Sequence, residues 1–159
     1  HNNGNRIAVT LSDPFCVERH RDLFLDVIQG QNGWPPISIL FANHLELNAL
    51  LTKNDGSYFE IEDIVRSDLL VFATHGADGI QIYQDGAQTH IAASDVAEVI
   101  DTTGAGDAFA AGVLAGLSQK LSVDNSARLG AHLAGLIIQK MGARFTDNLT
   151  DVVTKYGLK

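Results

Sequence analysis

The sequence is poor in cysteine, in charge and in uninterrupted apolar stretches, and each shortage excludes a class of protein. Cys16 is the single cysteine among 159 residues, so neither an internal disulfide framework nor a cysteine-based zinc site can be built. Charged residues make up 19% of the chain against 45% hydrophobic, the reverse of the balance that keeps a chain disordered. Basic residues are the scarcer sign, 11 Lys and Arg against 19 Asp and Glu, for a net charge of −8. An acidic surface repels phosphate backbones and anionic headgroups, which argues against nucleic acid and membrane as partners. Every apolar run is broken by Gly, Asp, Gln or Lys before it reaches the ~20 residues needed to cross a bilayer. Absent too are a Gly-Lys pair, a Gly-x-Ser-x-Gly elbow and a His-Glu-x-x-His pair, which removes the Walker A loop, the serine hydrolase and the zinc protease. What remains is an α/β domain of a reducing compartment, expected in the cytoplasm and able to bury about 70% of its unfolded surface. Its opening, His1-Asn2-Asn3-Gly4-Asn5 before a strand-like Arg6-Ile7-Ala8-Val9-Thr10, has no basic-then-apolar leader and reads as the interior of a longer protein, with an upstream part expected.

Short strands alternate with helices along the chain. Ile7–Leu11 is a strand, and Ser12-Asp13-Pro14 is a helix start, with a capping residue ahead of proline. Cys16, His20, Leu23, Phe24, Val27 and Ile28 recur at threes and fours, predicting one helix to about Gln29. A turn-rich loop, 31–36, leads to a strand over Ile37–Ala42 and a short helix over Asn43–Leu51. Asp68–Ala73 is nearly all apolar, as in a strand covered on both faces. Ile80–Gln84, Asp85-Gly86 and Ala87–Ala92 predict a hairpin, because Asp-Gly suits the tight turns that match strand twist. Helices follow over Ala105–Gln119, with Phe109, Val113 and Leu117 on one stripe, over Ser126–Met141, with Leu129, Leu133, Leu136 and Ile137 on one face, and weakly over Asp147–Tyr156. The order predicts an open α/β sheet flanked by helices, with a β-hairpin ahead of paired C-terminal helices.

The segment richest in chemistry is Asp101-Thr102-Thr103-Gly104-Ala105-Gly106-Asp107-Ala108-Phe109-Ala110-Ala111-Gly112. Small residues at 104–106 let the backbone turn sharply and present its N–H groups where a helix begins. Orphan donors there, with the positive end of the helix dipole, make an anion site. Phosphoryl transfer needs such a preorganised donor cluster, and Asp107 at its mouth can take the proton of an attacking hydroxyl. A dinucleotide loop does not fit, since Phe109 stands where its third glycine belongs. The plain alternative is a Gly/Ala-rich helix start that packs tightly.

The whole string resembles the second signature of the PfkB carbohydrate kinase family, of ribokinase-like fold, through Asp101-Thr102, Gly104-Ala105-Gly106-Asp107 and Ala111-Gly112-Val113-Leu114. The resemblance implies an ATP-dependent kinase acting on a hydroxymethyl group of a sugar or nucleoside, with Asp107 as base and Gly104, Ala105 and Gly106 as anion hole. Asn43-His44-Leu45-Glu46 resembles the family's Asn-x-x-Glu motif, which implies Glu46 as a helper of Mg²⁺ through water and Asn43 near the phosphates; an ordinary capping box is its structural counterpart. Thr74-His75-Gly76-Ala77-Asp78-Gly79 resembles the Thr-x-Gly-x-x-Gly nucleotide loop, implying Thr74, Gly76 and Gly79, or else a plain strand-to-hairpin turn. The segment from Ala127 through Ala131 to His132, and the Gly142-Ala143-Arg144 turn, resemble the parts that flank adenine. A monovalent cation near Asp101 and that turn is also implied. Leu11 to Asp22 looks like the adenosine-kinase-like branch. The likeness covers the C-terminal, nucleotide-binding portion of the family; the acceptor-binding portion and lid have no counterpart in these residues, so the missing half, or a second copy, is the expected partner. A catalytically inactive nucleotide-binding fragment or assembly module is the competing reading.

Overall fold

Three apolar runs form the parallel part of a sheet: β1 (Ala8–Thr10), β2 (Ile39–Asn43) and β3 (Leu70–Thr74). Ala8 lies opposite Ile39, Ile39 opposite Leu70 and Asn43 opposite Thr74. The computed structural model describes residues 6–145 and 148–157. β2 and β3 bury Leu40, Val71 and Phe72 completely, and Phe41 stacks on Phe72 with ring centroids 5.4 Å apart. Continuous apolar runs of this kind suit strands covered on both faces. β4 (Ile80–Gln84) and β5 (Ala87–Ile91) complete a five-stranded sheet in the order β1-β2-β3-β4-β5. The two residues joining them, Asp85 at φ 51° and Gly86 at φ 74°, have the paired positive φ of the primed hairpin turn that Asp-Gly predicts.

By its contacts the chain divides into two units, one built from residues up to His75 with Gln81–His90, the other from Gly76–Ile80 with the residues from Ile91 onward. The first holds most of the sheet and four helices: α1 (Pro14–Arg19), α2 (Arg21–Gln29), α3 (His44–Leu51) and α4 (Ile61–Ile64). Asp13 caps α1 by accepting the Cys16 N–H at 3.0 Å, with Pro14 in the first turn. The single helix expected to Gln29 is two, because His20 leaves helical geometry at φ −123° and ψ 27°. That break rotates the buried face: Cys16 and His20 are exposed and Leu23 is 47% exposed, while Val17, Ile28, Phe24 and Leu25 carry the packing. Arg66 then ties the unit together, donating to the carbonyls of Ile28 and Ile37, the latter at 2.9 Å, while its Nε pairs with Asp68. Strand and helix boundaries at 39–51 fall within two residues of expectation. α4 has no counterpart in the sequence pattern: one turn of helix is too short to show a period.

The second unit is built on α5 (Ala105–Ser118) and α6 (Val123–Ile137). α6 starts three residues earlier than its apolar pattern suggests, because Ser122 caps it by accepting the Asn125 N–H at 3.2 Å, and it ends four residues earlier, at Ile137. The two helices touch through glycine. A Cβ on Gly112 would lie 2.6 Å from the Gly130 Cα, and one on Gly130 would lie 2.6 Å from the Phe109 carbonyl oxygen. Around that crossing Ala108, Leu129, Leu133 and Ile137 form the core with Val152 of α7 (Thr150–Tyr156). α7 is held to α6 by the Tyr156 hydroxyl, which donates to the Arg128 carbonyl at 3.3 Å. Asp147, the expected start of that helix, lies outside the described residues.

One buried group in this crossing is left without a bond. Ser126 is fully buried and its Oγ has no hydrogen-bond partner among the described residues; it faces Gly116. An unsatisfied hydroxyl costs about 1–3 kcal/mol, so Ser126→Ala should raise stability by roughly 1 kcal/mol. A rise in the midpoint of thermal unfolding is the expected result, and a fall shows that the hydroxyl is bonded in solution.

Candidate active site

The Gly104–Asp107 segment starts α5 without a side-chain cap. Gly104 occupies the cap position in the left-handed region, at φ 80° and ψ 2°, a backbone shape that favours glycine. A Cβ there would also lie 2.7 Å from the Ala143 Cβ. Gly104 is therefore fixed by its own conformation and by the neighbouring turn. Ala105 follows and turns its N–H back onto the Thr102 carbonyl at 3.1 Å, so of the three expected anion-hole residues this one already has a partner.

Gly106 is different. Its φ is not positive, and a Cβ placed on it would meet nothing within 4 Å. Neither conformation nor packing requires glycine at this position, the second residue of the helix. The first N–H groups of any helix have no intrahelical acceptor, and the positive end of the dipole lies beside them. Asp107, one residue on, is exposed in the same first turn.

The approach to this turn is pinned by a carboxylate. Asp101 Oδ1 accepts the Thr103 N–H and Oδ2 accepts the Gly142 N–H, both at 2.9 Å. The Thr103 bonds first, then the Gly142 N–H, hold its carboxyl below the ordinary aspartate range. The resemblance brings Asp101 and the Gly142 turn, 41 residues apart, to one place, but the hydrogen bond between them is not legible in either local pattern. A lowered carboxyl stabilises the folded state above its unfolded pKa, ~3.9, and that contribution is lost as the pH falls through the lower folded value. At neutral pH, Asp101→Ala should make the amides of Thr103 and Gly142 exchange with solvent several-fold faster; unchanged exchange there would rule out the tie. Ala131, an expected nucleotide residue carried by α6, lies on the buried side of that helix, 7% exposed.

In the first unit the site residues sit at the carboxyl ends of β2 and β3, where ligands bind in open α/β sheets. Asn43 caps α3, its Oδ1 accepting the N–H groups of Leu45 and Glu46 at 2.9 Å each. Glu46 answers from the third helical position: Oε2 accepts the Asn43 N–H at 2.9 Å and Oε1 accepts from Asn43 Nδ2 at 2.7 Å. The capping box is real, and it orients a carboxylate that is 6% exposed. An ionised carboxylate offers about four acceptor directions, so about two remain for water. That donor set fits Mg²⁺ held through its water shell, which Mg²⁺ sheds reluctantly.

Thr74 stands beside Asn43 in register, half-buried at the end of β3. The two glycines that follow it part company. Packing requires glycine at Gly79, since a Cβ on it would lie 2.3 Å from the Ile91 carbonyl oxygen. Gly76, at φ 59°, has nothing within 4 Å of the place where a Cβ would stand, which leaves its backbone approachable.

Comparison with known proteins decides the family. Residues 12–150 match the profile described as pfkB family carbohydrate kinase. The chain belongs to that family. It is 27% identical over 154 residues to the adenosine kinase of Saccharomyces cerevisiae, covering 90% of this chain and 44% of that protein. Against the inositol 3-kinase of Zea mays it is 35% identical over 91 residues, 57% of this chain and 24% of the other. The crystal structure of adenosine kinase from Sinorhizobium meliloti superposes with a TM-score of 0.83 at 31% identity, over 98% of this chain and 46% of that one. The chain thus spans less than half the length of each of these relatives. The ribokinase-like architecture expected from the motifs is the one found. Among the described residues no helix is long and apolar enough to cross a membrane.

Proposed function

We propose that this pfkB family chain forms the nucleotide-binding and catalytic-base portion of an ATP-dependent kinase that phosphorylates a hydroxymethyl group of a sugar or nucleoside. The observation that carries the reading is Gly106, a glycine that neither φ nor packing demands, with open space over it at the start of α5. A side chain there would cover the N–H groups that a phosphoryl oxygen needs.

In this reading Asp107 takes the proton of the acceptor hydroxyl as that oxygen bonds the γ-phosphorus. The bond from the γ-phosphorus to the β–γ bridging oxygen breaks, and ADP leaves with the bridging oxygen. The backbone of 104–106 holds the transferring group, its donors fixed in place before the charge develops. In the first unit Asn43 orients Glu46, and Glu46 holds water of the Mg²⁺ shell; the ion, when bound, offsets polyphosphate charge. Thr74 and Gly76 offer a hydroxyl and an open backbone to the phosphates, and Ala131 belongs to the adenine side. A monovalent cation fits beside the loop that Asp101 ties to Gly142. We assign acceptor binding to residues outside the matched portion, supplied by the other half of the kinase or by a second copy, and place the working enzyme in the cytoplasm.

Titrating the chain with ATP and Mg²⁺ while following backbone amide resonances tests the nucleotide reading. Shifts concentrated at residues 104–108 and at Asn43 and Gly76 are expected; silence at all of them overturns it. Because the chain spans less than half of its relatives, a second reading is that these 159 residues bind nucleotide without turning it over. ADP release against a panel of nucleosides and sugars separates the two.

A further inference from the structure

Histidine fills the first free position of both nucleotide motifs that begin at the ends of β2 and β3. His44 follows Asn43 and His75 follows Thr74, and Asn43 and Thr74 are register partners on neighbouring parallel strands. Their successors therefore leave the sheet side by side. The two imidazoles stack with centroids 5.7 Å apart and planes 20° from parallel. His44 is exposed and His75 half-buried, so the pair does not serve to fill the core. Among the described residues neither ring makes a hydrogen bond. Stacking engages the faces of the rings and leaves their N–H edges available, one donor on each neutral imidazole.

We infer that His44 and His75 act together as binding residues for the polyphosphate chain of the nucleotide, giving ring N–H groups to phosphoryl oxygens at the carboxyl ends of β2 and β3. The inference rests on the nucleotide reading above and adds to it a pair of side chains. The sheet edge supplies the argument: open α/β sheets bind their ligands there, and the backbone of Gly76, next in the chain after His75, is approachable. A stacked pair in that position, one ring exposed and one half-buried, with unused donors, is better suited to a ligand than to the fold. Residues at these two free positions would then set how strongly the chain distinguishes a triphosphate from a bare nucleoside.

The test uses calorimetric affinities for MgATP, for inorganic tripolyphosphate with Mg²⁺ and for adenosine. Replacing both residues, His44→Phe with His75→Phe, keeps a stacked pair and removes the donors. Binding of MgATP and tripolyphosphate should weaken about tenfold, the order expected for losing a hydrogen bond to a charged group, with adenosine unchanged. His44→Asn with His75→Gln restores donors and should return both affinities to within about threefold of native. A Phe pair that binds MgATP as tightly as the native chain overturns the inference alone. Equal losses for adenosine and MgATP overturn it as well, since they mark a structural role. A native chain that binds neither MgATP nor tripolyphosphate overturns the nucleotide reading, and this pair with it.

Discussion

Replacing Asp107 by Asn should lower turnover of the active kinase by about 10²- to 10⁴-fold, the range that a positioned general base contributes, while ATP affinity stays close to native. The change is nearly isosteric, so the first turn of α5 keeps its shape. Asp107 is exposed and no core contact depends on it. What the amide cannot do is accept the acceptor's proton as the new O–P bond forms. In the proposed reading ATP binds through backbone donors that the substitution leaves untouched, and removing a negative charge next to a polyanion does not weaken its binding. The check is a pair of measurements on the same preparation: kcat from ADP release, and ATP affinity by calorimetry. Parallel losses in both would mean that Asp107 holds the nucleotide or the fold. Retained turnover would end its assignment as base.

Much of this site is legible in the sequence because its chemistry is local. A capping residue before Pro14, an Asp-Gly between two strands and a small-residue run at a helix start each state their meaning within a few positions, and each is found in place. The Asn43–Glu46 box shows why motif and fold readings need not compete: the bonds that cap α3 are the bonds that aim the carboxylate. What escapes the sequence is of two kinds. The kink at His20 splits the apolar recurrence: Phe24, Val27 and Ile28 pack on the core as the spacing predicts, whereas Cys16, His20 and Leu23 are exposed. The Asp101 bridge to Gly142 and the Arg66 bonds to Ile28 and Ile37 join residues far apart in the chain, and periodicity carries no information about them. The stacked histidines belong to this second kind, since only the register of β2 on β3 makes neighbours of positions 44 and 75.

Gly106→Ala and Gly104→Ala should fail in opposite ways, and the contrast isolates the anion site from the fold. At Gly106 the new methyl meets open space in helical backbone, and alanine is favoured over glycine in a helix by up to about 1 kcal/mol. The variant should therefore unfold at the native temperature or slightly above it. Its kcat/KM should nevertheless fall by about 10²-fold, the order seen when a single donor to a developing anion is lost, if the phosphoryl group occupies the proposed site at the first turn. At Gly104 the same methyl is forced into a left-handed backbone at φ 80° and to within 2.7 Å of Ala143. Strain of that kind costs on the order of 1–3 kcal/mol, so this variant should lose stability first and activity as a consequence. Thermal unfolding with steady-state kinetics on both variants reads the result. If Gly106→Ala keeps native kcat/KM, the space over α5 is not where the phosphoryl group sits, and the tight-packing account of the Gly/Ala-rich helix start would have to be taken up in its place.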